Sequence, residues 1–224
     1  MFKDKIFGMA RLAPRCAVVL ALGTLAGCAL RPAAVPLVVY DFGPGSMLSE
    51  PQNRMAPATP LAMPPVQATR ALDSTLVFYR LHYQDAQQPK PYAQARWSMP
   101  AAELIDQKLR YRLGQGRSLL NPADNVQAGQ DLRVLHMQLD EFSHNFETPE
   151  KSAGLLKMRV TLTQPHIKGA RLLAQRSFTL QQAAKSPDAP GGVRALSAAV
   201  DVLALELDNW LQQLPTNAPA DRNF

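Results

Sequence analysis

His82, His136, His144 and His166 are the four histidines of this chain, and their spacing is the first test of metal or proton chemistry. None forms His-x-His or His-Glu-x-x-His, and none has a second ligand at helix or strand spacing. His82 and His136 fall on the polar phases of alternating segments, where a solvated imidazole is expected. No Gly-x-Ser-x-Gly is present, so there is no nucleophile elbow. Gly114-Gln115-Gly116 follows a helical pattern instead of opening one after a strand, so it cannot cradle phosphate at a helix N-terminus. Asp140 and Glu141 are neighbours on a strand pattern; neighbours there point to opposite faces and cannot share a reacting bond. Asp201, Glu206 and Asp208 lie on the polar side of the last helical pattern. The expectation is a chain that is not an enzyme, binds no metal and takes no non-covalent cofactor.

One reactive side chain remains, a thiol. Cys28 directly follows Leu25-Ala26-Gly27, behind a basic stretch (Lys3, Lys5, Arg11, Arg15) and an apolar run over 17–25. Basic, apolar, then small is the order of a secretory signal, and the run is too short to span a bilayer. With cysteine at the cleavage point, the segment resembles a bacterial lipoprotein signal. The resemblance implies cutting before Cys28, a diacylglycerol thioether on its sulfur and an acyl chain on the new amino group. Ala29, rather than Asp, then stands in second position, which by the sorting rule for such lipoproteins implies the periplasmic face of the outer membrane. Two or more acyl chains suffice for stable anchoring where one does not.

The signal changes what the bulk numbers mean. It holds four of the 24 Lys and Arg and one of the 18 Asp and Glu, so the remainder carries a net charge of +3 rather than +6. That modest excess gives no reason to expect nucleic-acid binding. Cys16 leaves with the signal and Cys28 carries lipid, so the folded part has no thiol for a disulfide or thiolate metal site. In an oxidising envelope this avoids stray pairing.

The patterning divides the chain into a signal peptide (1–27), a lipidated tether (28–36), one domain (37–214) with an open Pro- and Ser-rich loop (43–60), and a frayed tail (215–224). Within the domain, 37–42 reads as a strand stopped by Gly43-Pro44-Gly45. Residues 61–66 read as a short edge strand, because Pro64 and Pro65 bar it from a sheet centre. Residues 75–83 read as a strand with Val77, Tyr79, Leu81 and Tyr83 on one face. A polar loop follows. Pro100 then opens a helix over 100–113 that Gly114 and Gly116 end, with Ala101, Leu104, Ile105, Leu109 and Leu113 on one side.

Three alternating strands come next. Leu135, Met137 and Leu139 point inward on 133–141; Leu156, Met158, Val160 and Leu162 on 156–163; Leu172, Ala174, Phe178 and Leu180 on 171–180. Alternation of this kind describes a sheet with one covered and one solvated face. The cover is a helix bearing Val193, Leu196, Val200, Leu203, Leu207, Trp210 and Leu214, widened by Leu205 and Leu211, after Pro190-Gly191-Gly192. The fold class expected is α+β: a two-layer sandwich, a mostly antiparallel sheet with two amphipathic helices on one face. On the late strands, Lys157, Arg159 and Arg171 form a candidate interaction patch for anionic headgroups or an acidic partner. The competing reading is an ordinary solvated sheet face.

Several short motifs, taken in order, carry a resemblance to a known family. They are Tyr40, Tyr79-Arg80, Pro91-Tyr92-Ala93, Arg96-Trp97, Pro100-Ala101-Ala102-Glu103-Leu104-Ile105 and Leu109-Arg110. With the lipoprotein signal and the closing amphipathic helix, the chain resembles the ABC-type transport auxiliary lipoproteins, the lipoprotein partner of Mce-type (mammalian cell entry) lipid transporters. The resemblance implies a non-catalytic docking subunit for phospholipid or hydrophobic-molecule transport. Its partners would be an Mce-domain protein or other ABC transporter subunits, with the membrane reached through the anchor; a homo-oligomer is compatible with it. Two other readings stay open at this level: a regulator or assembly factor of a cell-envelope complex, and a stand-alone lipid-binding lipoprotein.

Overall fold

The structure is a computed structural model that describes residues 35–44, 60–121, 132–167 and 169–215. The signal peptide, Cys28, Ala29, most of the 43–60 loop and all but the first residue of the tail lie outside the described residues. The unit that holds the strands and helices below begins at Leu37.

Among the described residues, nine strands and two helices follow in order: β1 (Val38–Tyr40), β2 (Leu61–Ala62), β3 (Gln67–Ala68), β4 (Leu76–Leu81), β5 (Asp85–Trp97), α1 (Ala101–Gly114), β6 (Leu119–Leu120), β7 (Arg133–Phe146), β8 (Ser152–His166), β9 (Gly169–Ala183) and α2 (Ala189–Gln213). The fold is α+β, as the patterning predicts, with an open sheet.

The sheet is mixed, with its long ladders antiparallel as expected and shorter parallel ones added to them. β7, β8 and β9 form an antiparallel meander, and β4 pairs β5 antiparallel. On its other edge, however, β7 runs parallel to β2, β3 and β4 in turn. A parallel pair needs a long crossover, and β5, α1 and β6 supply it. β2 also pairs β6, so it lies inside the sheet and not at an edge. Pro64 and Pro65 do not prevent this because they fall between β2 and β3, where no ladder bond is required.

The polar loop after residue 83 is in fact β5. Its polar, twice proline-bearing sequence conceals a strand because β1 covers it only over Ala95–Trp97. Pro89 and Pro91 sit where one edge is free. The late strands likewise run into what reads as loop, leaving turns at 147–151 and around 167.

Both helices add their buried sides to one core. Ile105, Leu109 and Leu113 of α1 and Leu196, Leu203 and Leu207 of α2 meet Leu135, Leu139, Leu156, Met158 and Leu162 of the sheet. Asp188 caps α2, its carboxylate accepting the Gly191 N–H at 2.7 Å. The helix therefore starts before Pro190-Gly191-Gly192, with proline in its first turn.

Two bulges correct the expected faces. Leu172 is 60% exposed: the register passes from Leu162–Ala174 to Thr163–Leu172, so Leu173 is an extra residue that turns Leu172 outward and packs on the core itself. Leu205 is also exposed and does not widen the buried face of α2.

Candidate interaction surface

The second bulge, at Asp140, sets the chemistry of the solvated sheet face. Leu139 pairs Met158 and Glu141 pairs Lys157, leaving Asp140 unmatched. The bulge brings both acids to the same face, contrary to the simple alternation rule. Each is then taken by a separate arginine. Glu141 meets Arg80 at 3.0 Å and Asp140 meets Arg159 at 3.3 Å. Both carboxylates are spent on neighbouring strands, an arrangement that holds the sheet together.

Lys157 and Arg159 lie exposed on this face, opposite Thr179 and Ser177 of β9. Arg171 does not join them. It pairs Gln164, which alternates in phase with Leu162, so it belongs to the helix-bearing side, near the far end of the strands. Arg176 is on that side as well, 3.6 Å from Glu206 of α2 and with its guanidinium 4.6 Å from the Phe178 ring centroid. The three-residue basic patch is therefore not assembled; Lys157 and Arg159 remain as a pair.

The histidines are structural or solvated. His136 is exposed, and His82 Nε2 lies 3.2 Å from Asn145 Oδ1. His144 is fully buried under the first turn of α2, next to Gly192, where any Cβ would collide with its ring. Its Nδ1 shares a 2.8 Å hydrogen bond with the Tyr92 hydroxyl. Tyr79 and Phe146 complete the aromatic cluster. Burial pulls His144 down to about 4, partly offset by Asp188, and burial pushes Tyr92 up. Both are neutral at pH 7, and the imidazole has no exposed edge from which to reach a substrate. Among the described residues, no group of three or more His, Cys, Asp or Glu could hold a metal.

The motif residues that carry the family resemblance do structural work. Arg80 also donates to the carbonyls of Ala86 and Gln87, tying β4 to β5. Arg96 donates to the carbonyls of Tyr92 and Ala95. Trp97 packs on Phe42 and Phe142. On α1, Arg110 bridges Asp106 at 2.6 Å and donates to the Met63 carbonyl, while Asp106 accepts the Val66 N–H. This pair clamps the backbone on either side of Pro64-Pro65, which supply no N–H of their own.

One surface feature has no counterpart in the sequence reading. A groove of about 470 Å³ runs between α1, α2 and the segment after β1, lined in part by Phe42, Met99, Leu104, Tyr111 and Leu205. A second one of about 560 Å³ adjoins it and shares Asp41, Phe42 and Gly43. The exposed tyrosine and leucine were the available signal, but helical periodicity assigned Leu205 to the core.

This architecture recurs among solved structures. A protein from Xanthomonas campestris, of family DUF330, matches with a TM-score of 0.54 at 16% identity, covering 80% of this chain and 87% of that one. A second, uncharacterized protein matches with a TM-score of 0.57 at 14% identity, covering 79% and 99%. At these identities the likeness shows a shared fold. No curated protein matches the chain. The sequence profile of one family matches residues 40–207, from the end of β1 to deep in α2, so nearly every element described above falls inside it. The chain belongs to the family of ABC-type transport auxiliary lipoprotein components.

Proposed function

We propose that this protein is a non-catalytic docking subunit of an Mce-type ABC transport system for phospholipids or other hydrophobic molecules, held by Cys28 on the periplasmic face of the outer membrane. The observation that carries this reading is the family match over 40–207, joined to the Leu25-Ala26-Gly27-Cys28 signal just upstream. The site geometry supports it: the titratable groups that come together are committed to structural pairs. The space between sheet and helices is filled by large aliphatic side chains such as Ile105, Leu135, Leu156 and Leu203. That packing favours a subunit that docks over one that carries cargo in its core.

The test is crosslinking in intact cells from positions on the exposed sheet face, such as Lys157 and Arg159, followed by identification of what is trapped. Recovery of an Mce-domain protein or another transporter subunit is the expected result. Absence of every transporter component, under conditions that keep such complexes intact, would overturn the reading. The anchor has its own test. Cys28→Ser is expected to move the protein from the membrane fraction to the soluble periplasm, and full membrane retention would refute lipidation at that residue.

A further inference from the structure

Several exposed apolar side chains lie at two adjoining grooves at one corner of the fold, while Tyr83, Ile167 and Leu172 are exposed outside their linings. Val39, Tyr111 and Leu205 line the two grooves and Leu37 and Val38 directly precede Val39 in the chain, each of the five between 43% and 58% exposed. Leu37, Val38 and Val39 stand on β1 and its lead-in, and among the described residues β1 pairs β5 alone. Val39 lines one groove, Tyr111 and Leu205 line the other, and Phe42 lines both. The surface is therefore continuous across β1, α1 and α2.

Its charges nearly cancel. Lys108 is held by Asp201 at 2.8 Å, and Asp41 accepts the Gly43 N–H. Arg112 and Arg194 are the other cations along the two grooves. Apolar area, more than field, would select what covers this corner. Clustered exposed hydrophobic side chains mark interaction sites far more often than scattered ones do.

The chain itself indicates the occupant. Eight residues stand between Cys28 and Leu37, nine Cα-to-Cα steps that span at most about 32 Å when fully extended. A domain of this size is roughly 40 Å across. A lipid on Cys28 would therefore hold Leu37, at this corner, within about that distance of its bilayer.

We propose that the corner formed by Leu37, Val38, Val39, Tyr111 and Leu205 is a membrane-docking surface, resting in the headgroup region of the bilayer that holds Cys28. The inference rests on the lipidation reading above. The tether makes the contact intramolecular, so its effective concentration is high and a small apolar area is enough. Tyr111 suits an interface, with an apolar ring and a polar tip. β1 and β9 lie at opposite ends of the sheet. Docking at β1 turns β9 away from the membrane, toward any partner in the periplasm.

The lipidated mature protein has no free thiol, so Val39→Cys, Leu205→Cys and Leu172→Cys each provide a unique labelling site for an environment-sensitive fluorophore. The labelled lipoproteins are reconstituted in vesicles of phosphatidylethanolamine and phosphatidylglycerol containing nitroxide-labelled lipid. Labels at 39 and 205 are expected to shift to the blue and lose about half their emission, as a probe placed several Å into the headgroup layer would. The label at exposed Leu172, on the other face of the sheet, is expected to stay aqueous and unquenched. Aqueous, unquenched signals at 39 and 205 in vesicle-bound protein would overturn the docking and leave the anchor intact. Protein that fails to co-float with the vesicles would overturn the anchor, and the docking with it. Equal quenching at all three positions would show general adsorption and overturn this choice of surface.

Discussion

Replacing Gly154 by alanine tests how closely α2 approaches the sheet. Gly154 lies on β8 opposite His144, directly under the helix. A Cβ there would stand 2.6 Å from Leu196 N and 2.7 Å from the carbonyl carbon of Ala195. Both are backbone atoms, so no side-chain rotation relieves the contact. Reaching an ordinary separation of 3.4 Å needs a displacement of about 0.8 Å. Leu196, Leu203 and Leu207 are fully buried on the same helix and oppose that movement. Overpacking of this kind costs about 1–3 kcal/mol. Removing a glycine from a strand interior returns about 0.5–1 kcal/mol. The net expectation is a loss of about 1–2 kcal/mol, or about 2–8 °C in Tm for a chain of this length. Urea unfolding followed by circular dichroism, on the mature chain carrying Cys28→Ser, would read it as a lower midpoint at unchanged m. Gly114→Ala is the internal contrast. Its nearest foreign atom would be Leu119 Cδ1 at 3.6 Å, an ordinary contact, and its helical position predicts a gain of up to about 1 kcal/mol. A Gly154→Ala midpoint equal to or above that of the parent would refute the close-approach argument.

Other perturbations bear on separate links. His144 has its pKa lowered by burial to about 4, so its unfolded form binds the proton first as pH falls. Its contribution to stability is complete above about pH 6.5 and is lost between 6.5 and 4, with a slope of up to about 1.4 kcal/mol per pH unit. Urea midpoints across that window should flatten in His144→Gln, and an unchanged slope would assign the effect elsewhere. Arg80→Ala removes the half-buried ion pair to Glu141 and the donors to Ala86 and Gln87, with an expected loss of about 1.5–3 kcal/mol. Faster hydrogen exchange confined to β4 and β5 would locate that loss. Asp106→Asn weakens the clamp around Pro64-Pro65, and its expected signature is a lower unfolding midpoint that Arg110→Ala, in the same unit, barely deepens.

What the sequence made legible were the elements whose periodicity had a single cause. The alternation of β8 and the inward residues of β7 before Asp140 follow from one face packing on helices. The stripes of α1 and α2 follow from the same contact. Legibility ended where a non-local partner decided the outcome. β5 looks like loop because its prolines are tolerated only on an edge that β1 leaves free. β2 looks like an edge because its two neighbours, β6 and β7, are remote in sequence. Leu172 and the Asp140–Glu141 pair were misplaced by bulges, which add one residue and reverse every later phase. Among candidate site residues, Lys157 and Arg159 are on one face as alternation requires, and Arg171 is displaced by the bulge at Leu173. The apolar corner escaped notice because its members come from three elements that no local window contains.

The parallel alignment of residues 61–81 along β7 also orders the assembly of the chain in time. Each of those early pieces bonds to a strand that begins at Arg133, so none can settle until more than half of the polypeptide has emerged. The meander from β7 to β9, with α2 across it, has neighbours close in sequence and can form first as a template. A chain built this way stays open through most of its synthesis and closes only after its last third has arrived.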